Sequence, residues 1–399
     1  MKHKPLRILH LTTSFPQNQE DFSGLFVWRL TQALENEGVF CRILTPSSMR
    51  SSSWPESSIV RRFKYAPRSW QQLANLPGGI PHSLNKHPLL YGLVPNLFIS
   101  MAINLVLASR SCDLIHAHWS VCGAIAVFTK RVHQKPIVTT LRGSDINWAK
   151  MGRLYKWIHK KSTIGSNFTV GVSDKITTQI KKELPEFSNR IAFIPNGVND
   201  SFYSISSSFR PSPPPLKVLF TGSLIPRKGI DTLILALGAL DSNFRWRLTI
   251  AGDGPERKRL TNLSDKFSLS KKVSFLGVVP PDKIPSLMAG HHIMVLTSYY
   301  EGRPNVVLEA MAAGLAVIGS DIDGIRELVQ NGRTGWIVPP GDYDMLAEVF
   351  KALIHGKYNY MTAGKTGRKW MINQRLTWKE TARRYRDLYR KAVMEQKYE

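Results

Sequence analysis

The chain has 399 residues, 43% of them hydrophobic, and carries 54 Lys and Arg against 29 Asp and Glu, a net charge of +25. That apolar content supports packed cores in two or three domains and excludes a disordered class, while three scattered cysteines (Cys41, Cys112, Cys122) exclude a disulfide framework and point to a reducing compartment. The charge favours anionic partners; with no zinc-finger spacing, no basic region feeding heptads and no RNP-type signature, nucleic acid is not expected among them, and an anionic membrane or a phosphorylated small molecule is.

Taken in chain order, LRILHLTTSF (6–15) is an apolar run broken by Arg7 and His10 and reads as a strand rather than a signal peptide. A turn at Ser23 and Gly24 leads into a helix with Phe26, Leu30, Ala33 and Leu34 on one face, and FCRILTP (40–46) is the next strand. The segment LLYGLVPNLFISMAINLVLAS (89–109) approaches a membrane span in character. Pro95 interrupts it, however, and Asn96, Ser100 and Asn104 recur every four residues, so the pattern predicts a shorter helix packed within the protein. DLIHAHW, VCGAIAVFTKRV, PIVTTLRGSD, NFTVGVSD and KITTQIKKEL then alternate strand and helix as a parallel sheet requires. The Ser- and Pro-rich stretch SISSSFRPSPPP (204–215) reads as a linker. Beyond it the pattern restarts with LKVLFTGSL, GIDTLILALGAL, RWRLTIAGDGP, KVSFLGVV, IMVLTSY and LAVIGSD. The predicted organisation is a first domain over 1–203, the linker over 204–215, a second domain over 216–375 and a basic amphipathic helix over 376–399. In that helix Trp378, Ala382, Tyr385 and Tyr389 form a stripe that should pack back on the first domain. The fold class is α/β, with two doubly wound, Rossmann-like domains expected to face each other across a cleft that gathers the loops at the C-terminal strand ends.

Chemistry concentrates in two stretches of the second domain. YYEGRPNVVLEAMAAG (299–314) sets Glu301 and Glu309 eight positions apart around Pro304, which suits the first turn of a helix, and ends in Gly314, which suits the position just past its end. Glu301 then precedes a helix over about residues 304–313 and Glu309 lies on its body. About 12 Å of rise is too far for one carboxylate pair flanking a single glycosidic bond, so the two acids have separate tasks. TGSLIPRKG (221–229) carries the chain from a strand end through Gly222 to a helix start and delivers Arg227 and Lys228 there. Two cations beside helix-terminal N–H groups suit a diphosphate, although a solvated pair in a loop has the same sequence. The helix start after Pro304 adds the N–H groups of Asn305 and Val306, with Glu309 either reaching sugar hydroxyls or lying on a surface. His116 and His118 share one strand face without an acid or cysteine at matching spacing, so no metal site is predicted. GDGPER (252–257) lacks the remaining elements of a dinucleotide fingerprint, and no cofactor is predicted.

The segment EGRPNVVLEA resembles the E-x7-E motif of the retaining glycosyltransferases grouped as family 4, which have the two-domain GT-B architecture. The similarity extends through TGSLIPRKGIDTLI, IAGDGPER, FLGVVP, the run from VLTSYYEG to WIVPPGD and, in the first half, DLIHAHWS, TLRGSDI and IPNGV, nearly the whole chain. This resemblance implies a nucleotide-diphosphate sugar as donor. Glu301 would contact the transferred sugar, Glu309 would bind the ribose, and Lys228 helped by Arg227 would hold the leaving diphosphate. Gly24 would let the backbone approach the phosphate or the sugar, and Gly222, Asn305 and Val306 would line the nucleotide sugar. Two positions depart from many relatives: Ser223 stands in place of Arg, which leaves Arg227 to supply the charge, and Arg142 stands in place of His. Arg142 could meet a phosphate or an anionic sugar, or pair with Asp145; His118 could contact a ligand or simply pack.

The resulting expectation is a retaining hexosyltransferase acting on a glycan or lipid-linked acceptor in cell-surface polysaccharide assembly, cytoplasmic and resting on the inner face of the membrane. The basic-aromatic stretch VRRFKYAPRSW (60–70) supports the membrane contact. A nucleotide-sugar epimerase of the same architecture and a non-catalytic polyanion-binding protein are the alternatives.

Overall fold

The computed structural model describes residues 5–19, 21–49, 54, 59–75, 79–143, 152–205 and 210–396. The chain divides into two compact units, one formed by 1–197 with 378–399 and the other by 198–377. In chain order the first unit runs β1 (Arg7–Leu11), α1 (Leu25–Asn36), β2 (Phe40–Pro46), β3 (Val60–Phe63), α2 (Val94–Ser109), β4 (Leu114–His118) and α3 (Ser120–Phe128). The single turn α4 (Lys130–His133), β5 (Ile137–Leu141), α5 (Arg153–Gly165), β6 (Phe168–Gly171), α6 (Asp174–Glu183) and β7 (Ile191–Phe193) follow. Its strands pair in parallel in the order β3-β2-β1-β4-β5-β6-β7. Every residue of β4, β5 and β6 is buried, as befits strands covered on both faces, while the edge strands β3 and β7 keep exposed positions.

The second unit runs β8 (Leu216–Thr221), α7 (Ile230–Gly238), β9 (Trp246–Ala251), α8 (Arg257–Lys266), β10 (Val273–Gly277), β11 (Ile293–Leu296) and α9 (Asn305–Ala312). It continues with β12 (Ala316–Ser320), β13 (Gly335–Val338), α10 (Tyr343–Ile354) and α11 (Tyr360–Asn373). This sheet is also parallel, ordered β10-β9-β8-β11-β12-β13. In both units the strand order reverses beside the first strand, between β1 and β4 and between β8 and β11. At such a reversal the connections leaving two neighbouring strands run to opposite sides, and a crevice opens at their C-terminal ends.

The stretch expected to link the domains is instead part of the second unit. Val198, Phe202 and Ile205 are buried in its core, Arg210 donates to the Ala313 carbonyl at 2.5 Å, and the Pro211 carbonyl meets the His292 ring at 2.7 Å. Arg368 of α11 also donates to the Tyr203 and Ile205 carbonyls. The boundary falls at Gly197, because a Ser/Pro composition rules out strand and helix but says nothing of what the extended chain lies against. Residues 206–209 lie outside the described residues.

The last helix, α12 (Trp378–Gln396), belongs to the first unit. With α1 it covers one face of the first sheet, over Ile8, Leu114, Val138, Phe168 and Val170, while α2 and α3 cover the other. Its stripe of Trp378, Ala382, Tyr385 and Tyr389 is buried, and the two tyrosines bring hydroxyls into the core. Tyr385 Oη meets Thr140 Oγ1 at 2.9 Å, and Tyr389 Oη meets His116 Nδ1 at 2.6 Å. A buried polar group left without its partner costs about 1–3 kcal/mol, and truncating a large buried ring costs about 3–5 kcal/mol. Tyr389→Phe should therefore lower the unfolding free energy by about 1–3 kcal/mol, and Tyr389→Ala by about 3–5 kcal/mol, in urea titrations followed by circular dichroism.

Candidate active site

In the second unit the loops leaving β8 and β11 flank the strand-order reversal, and they are fastened to each other. Tyr299 N–H donates to the Arg227 carbonyl at 2.9 Å, and Thr297 Oγ1 donates to the Lys228 carbonyl at 3.2 Å. Gly229 sits between them at φ +56, where a Cβ would lie 2.4 Å from the Thr297 carbonyl oxygen, so both the turn and the close approach demand glycine. This fastening delivers the charged residues to one point. Lys228 Nζ bonds Glu301 Oε1 at 2.5 Å, Ser298 Oγ donates to the same oxygen at 2.8 Å, and Arg227 Nη1 lies 3.5 Å from Glu301 Oε2. The Arg227 guanidinium also lies 4.9 Å from the centre of the Tyr300 ring. Side-chain exposure is 9% for Glu301, 12% for Lys228 and 32% for Arg227, so a buried carboxylate holds one cation while the second faces outward. Burial by itself would raise the Glu301 carboxyl; the charges of Lys228 and Arg227 and the hydrogen bonds from Lys228 and Ser298 outweigh it and hold the group below its ordinary value. Glu301 is ionised at neutral pH.

Helix α9 begins at Asn305, with Pro304 one position before it, and Gly314 at φ +74 follows its end. Glu301 thus lies in the loop ahead of the helix and the half-buried Glu309 in its second turn. Asn305 and Val306 occupy the first turn, where backbone N–H groups have no acceptor within the helix. Gly222 follows β8 at φ +150, with the Lys228 side chain 3.9 Å from where a Cβ would stand. Gly324, after β12, packs its Cα against the Glu301 and Gly302 carbonyls and so closes the loop from its other side.

In the first unit the reversal between β1 and β4 collects histidines. His118 and His116 of β4 have ring centres 4.2 Å apart, and His10, which the sequence pattern did not single out, lies opposite His116 in the register of β1 and β4. All three are fully buried, with candidate ligand atoms within 4.8 Å of one another. Their hydrogen bonds define what they do. The Arg142 guanidinium can only donate, so its 3.2 Å contact makes His118 Nδ1 an acceptor; neutral His118 then donates from Nε2 to His10 Nδ1 at 3.1 Å. His116 spends both nitrogens, on Thr140 Oγ1 at 2.7 Å and on the Tyr389 hydroxyl. Two of the three rings have no nitrogen left for an ion, and a guanidinium stands beside them, so the cluster fits a cation poorly. His118, sealed from solvent, holds Arg142 rather than reaching a ligand itself.

Arg142 is fixed on three sides: by His118, by Asn196 Oδ1 at 3.0 Å and by the Phe26 ring, whose centre lies 3.7 Å from its guanidinium carbon. Asp145, its expected ion-pair partner, lies outside the described residues. Gly24 caps α1 at φ +68, and a Cβ there would lie 2.0 Å from the Ser14 carbonyl oxygen, so the close approach that requires glycine is made by the chain itself. Trp119, between β4 and α3, holds φ +72, a strained conformation of the kind that clusters at functional sites. His10, Phe26, Trp119, Asn196, Ser298 and Tyr300 are the neighbours that motif reading missed.

Residues 23–202 match the family described as Glycosyltransferase Family 4, and residues 205–370 the one described as Glycosyl transferases group 1. An uncharacterised glycosyltransferase of Methanocaldococcus jannaschii is 28% identical over 285 residues, 71% of this chain and 77% of that one. TuaC of Bacillus subtilis, named for teichuronic acid biosynthesis, is 26% identical over 363 residues, 88% of this chain and 90% of its own. Among solved structures, Anabaena HepE in complex with UDP and glucose superposes with a TM-score of 0.73 at 18% identity, covering 96% of this chain and 99% of that one. Sucrose-phosphate synthase of Thermosynechococcus elongatus gives 0.77 at 21% identity, over 98% and 100% of the two chains. At these identities the superpositions show a shared fold.

The histidine cluster carries a pH signature. Burial first, and the charge of Arg142 second, lower His10 from 6.5 to about 3, and burial likewise pushes His116 and His118 well down. The unfolded chain therefore takes up protons that the folded one refuses: stability is complete above about pH 6.5 and is lost as the pH falls from there towards the folded value. Between about pH 6 and 4 each such histidine contributes a slope of about 1.4 kcal/mol per pH unit. His10→Gln should make the pH dependence of the unfolding free energy shallower by about that amount, and a slope identical to the wild type would refute the assignment.

Proposed function

The chain belongs to glycosyltransferase family 4, and from that premise we propose that it moves a hexose-type sugar, with retention, from a nucleotide-diphosphate sugar to a glycan or lipid-linked acceptor. The observation that carries this reading is the buried Glu301 carboxylate bonded to Lys228 at 2.5 Å, with Arg227 beside it, on the two loops that flank the β8–β11 reversal. A nucleoside diphosphate is a good leaving group, so what the reaction needs is stabilisation of the negative charge that builds on it. Lys228, Arg227 and the first N–H groups of α9 would supply that charge, placed before substrate arrives. Glu301 keeps Lys228 oriented and presents a carboxylate to positive charge developing at the anomeric carbon. In the front-face path the bond from C1 to the diphosphate oxygen breaks, the acceptor oxygen bonds to C1 on the same side, and the acceptor proton passes to the departing phosphate. Glu309 takes the ribose hydroxyls. No metal and no cofactor enters this scheme.

Arg142 gives the first unit a fixed cation, which suits a phosphate or carboxylate on donor or acceptor. The relative named for teichuronic acid biosynthesis supports polysaccharide assembly as the setting, and the basic charge of the chain leads us to propose the cytoplasmic face of a membrane as its place. An epimerase would turn over its nucleotide sugar without regard to acceptor, whereas a transferase releases nucleotide faster when acceptor is added.

Lys228→Ala should cut turnover by about 10² to 10³, and it should also lower thermal stability, because the buried Glu301 carboxylate loses its nearest cation and keeps only Arg227. Glu301→Gln should leave the donor dissociation constant within a few-fold and lower the single-turnover rate by at least about 10², because a charge that matters most in the transition state shows in rate rather than affinity. Glu309→Gln should do the reverse. Donor titrations and single-turnover kinetics on the three variants decide it: an Glu301→Gln enzyme that binds donor poorly yet reacts at the wild-type rate would reverse the roles of the two acids.

A further inference from the structure

Helix α2 is apolar on two opposite faces. Leu97, Met101 and Leu105 are fully buried against the first sheet, while Ile99, Ile103 and Leu107, one turn apart on the other side, are 45–58% exposed. The polar positions noted in the sequence lie between them: Asn104 Nδ2 donates to the Ser100 carbonyl, and Arg61 donates to Asn104 Oδ1. Ahead of α2, in the turn at residues 88–93, Leu89 is 96% and Tyr91 is 59% exposed. The adjoining helices continue this surface. Phe128 at the end of α3 and Trp157 of α5 meet with ring centres 5.6 Å apart, and with Val132 and Leu154 they are 46–69% exposed. Lys130, Arg131, Arg153, Lys156, Lys160 and Lys161 come from the same helices, and α2 to α5 contain no Asp or Glu.

An exposed apolar stripe flanked by cations, on helices that contain no Asp or Glu of their own, suits an anionic bilayer, where rings and aliphatic side chains enter the interfacial zone and Lys and Arg meet the headgroups. It does not suit a second copy of the chain, because a twofold contact would set these cations against themselves. Nor does it suit a span. The Pro88–Ser109 segment has a mean hydropathy of 1.8, enough for one by composition, but the α2 helix itself covers only about 24 Å, and its buried face would have to leave the sheet. We propose that helices α2 to α5 of the first unit form a docking face for an anionic lipid bilayer, on which the protein rests without crossing it. This deepens the membrane setting proposed above and relies on that setting for its purpose. In the stretch at residues 60–70, Arg62 is tied inward to the Pro16 and Trp54 carbonyls and Tyr65 is buried with its hydroxyl on the Leu73 N–H, while Lys64, Arg68 and Trp70 are exposed.

Flotation of the full-length protein with phosphatidylcholine vesicles, with and without about one third phosphatidylglycerol, tests the face. Each Lys or Arg at an anionic surface is worth about a five-fold gain in partitioning. Wild type should float with the anionic vesicles, release at about 1 M salt, and stay behind with neutral ones. Arg131→Glu/Lys160→Glu/Lys161→Glu should lower partitioning at least about a hundredfold. Ile99→Ser/Ile103→Ser/Leu107→Ser should lower it independently, while Lys266→Glu and Lys365→Glu on the second unit should not. Equal flotation of wild type and both triple variants, salt-resistant flotation with neutral vesicles, or self-association abolished by the apolar variant without vesicle binding would each overturn the proposal. Nucleotide-sugar hydrolysis in solution, measured on the same variants, keeps the two readings apart: vesicle binding without hydrolysis would refute the enzyme, and hydrolysis without vesicle binding would refute the face.

Discussion

Parallel strand order is the constraint from which the site follows. Where β8 and β11 lie side by side, their outgoing loops are driven to opposite sides of the sheet, and the only place they still meet is the rim directly above the two strand ends. That is where the backbone of Arg227 and Lys228 is fastened to the loop carrying Thr297, Tyr299 and Glu301. The ion pair of Lys228 and Glu301 is a consequence of the fastening, since a lysine on a free loop would forfeit side-chain entropy to hold such a geometry. Gly229 and Gly324 mark two of the places where backbones come too close for any side chain.

The two units handle buried charge in contrasting ways. In the second, a carboxylate is taken out of water and balanced by two cations, so it stays ionised and the cations stay aimed. In the first, the partners of the cation Arg142 among the described residues include neutral groups: an imidazole that burial keeps neutral, an amide and the face of a phenyl ring. His118 and His10 form a proton-ordered chain whose direction Arg142 dictates, because a guanidinium never accepts a hydrogen bond. The polar interior of the first unit is thereby polarised towards one residue at the end of β5.

Much of the fold was legible because strand and helix alternate cleanly in both halves, and Pro304 with Gly314 bracketed α9 to within a residue. Glu301 was legible as a loop residue for the same local reason. What could not be read were contacts set by strand order rather than by neighbouring sequence. His10 meets His118 across 108 positions, and Arg142 meets Asn196 across 54, pairings that become visible only once β1 is known to lie beside β4 and β7 two strands from β5. Gly24 was legible as a glycine that matters, but the backbone it admits is that of Ser14. Helix α2 was legible as a short helix packed on the protein, but its exposed row of Ile99, Ile103 and Leu107 was not, because apolar residues on two opposite faces give a periodicity no single direction. The chain at 204–215 misled because Ser and Pro report what a segment cannot form, not where it is held.

The final helix has a consequence for how the chain is made. Thr140 and Tyr385 are 245 residues apart, and the whole second unit is synthesised between them. At about 5–20 residues per second, the first unit leaves the ribosome with one face of its sheet uncovered and waits on the order of ten to forty seconds for α12. The second unit, whose ends Val198 and Thr377 lie paired, has all of its strands and helices before then. A unit whose strands all precede residue 198 is thus completed only when α12 is made, and deleting α12 would strike that unit rather than the one it follows in sequence.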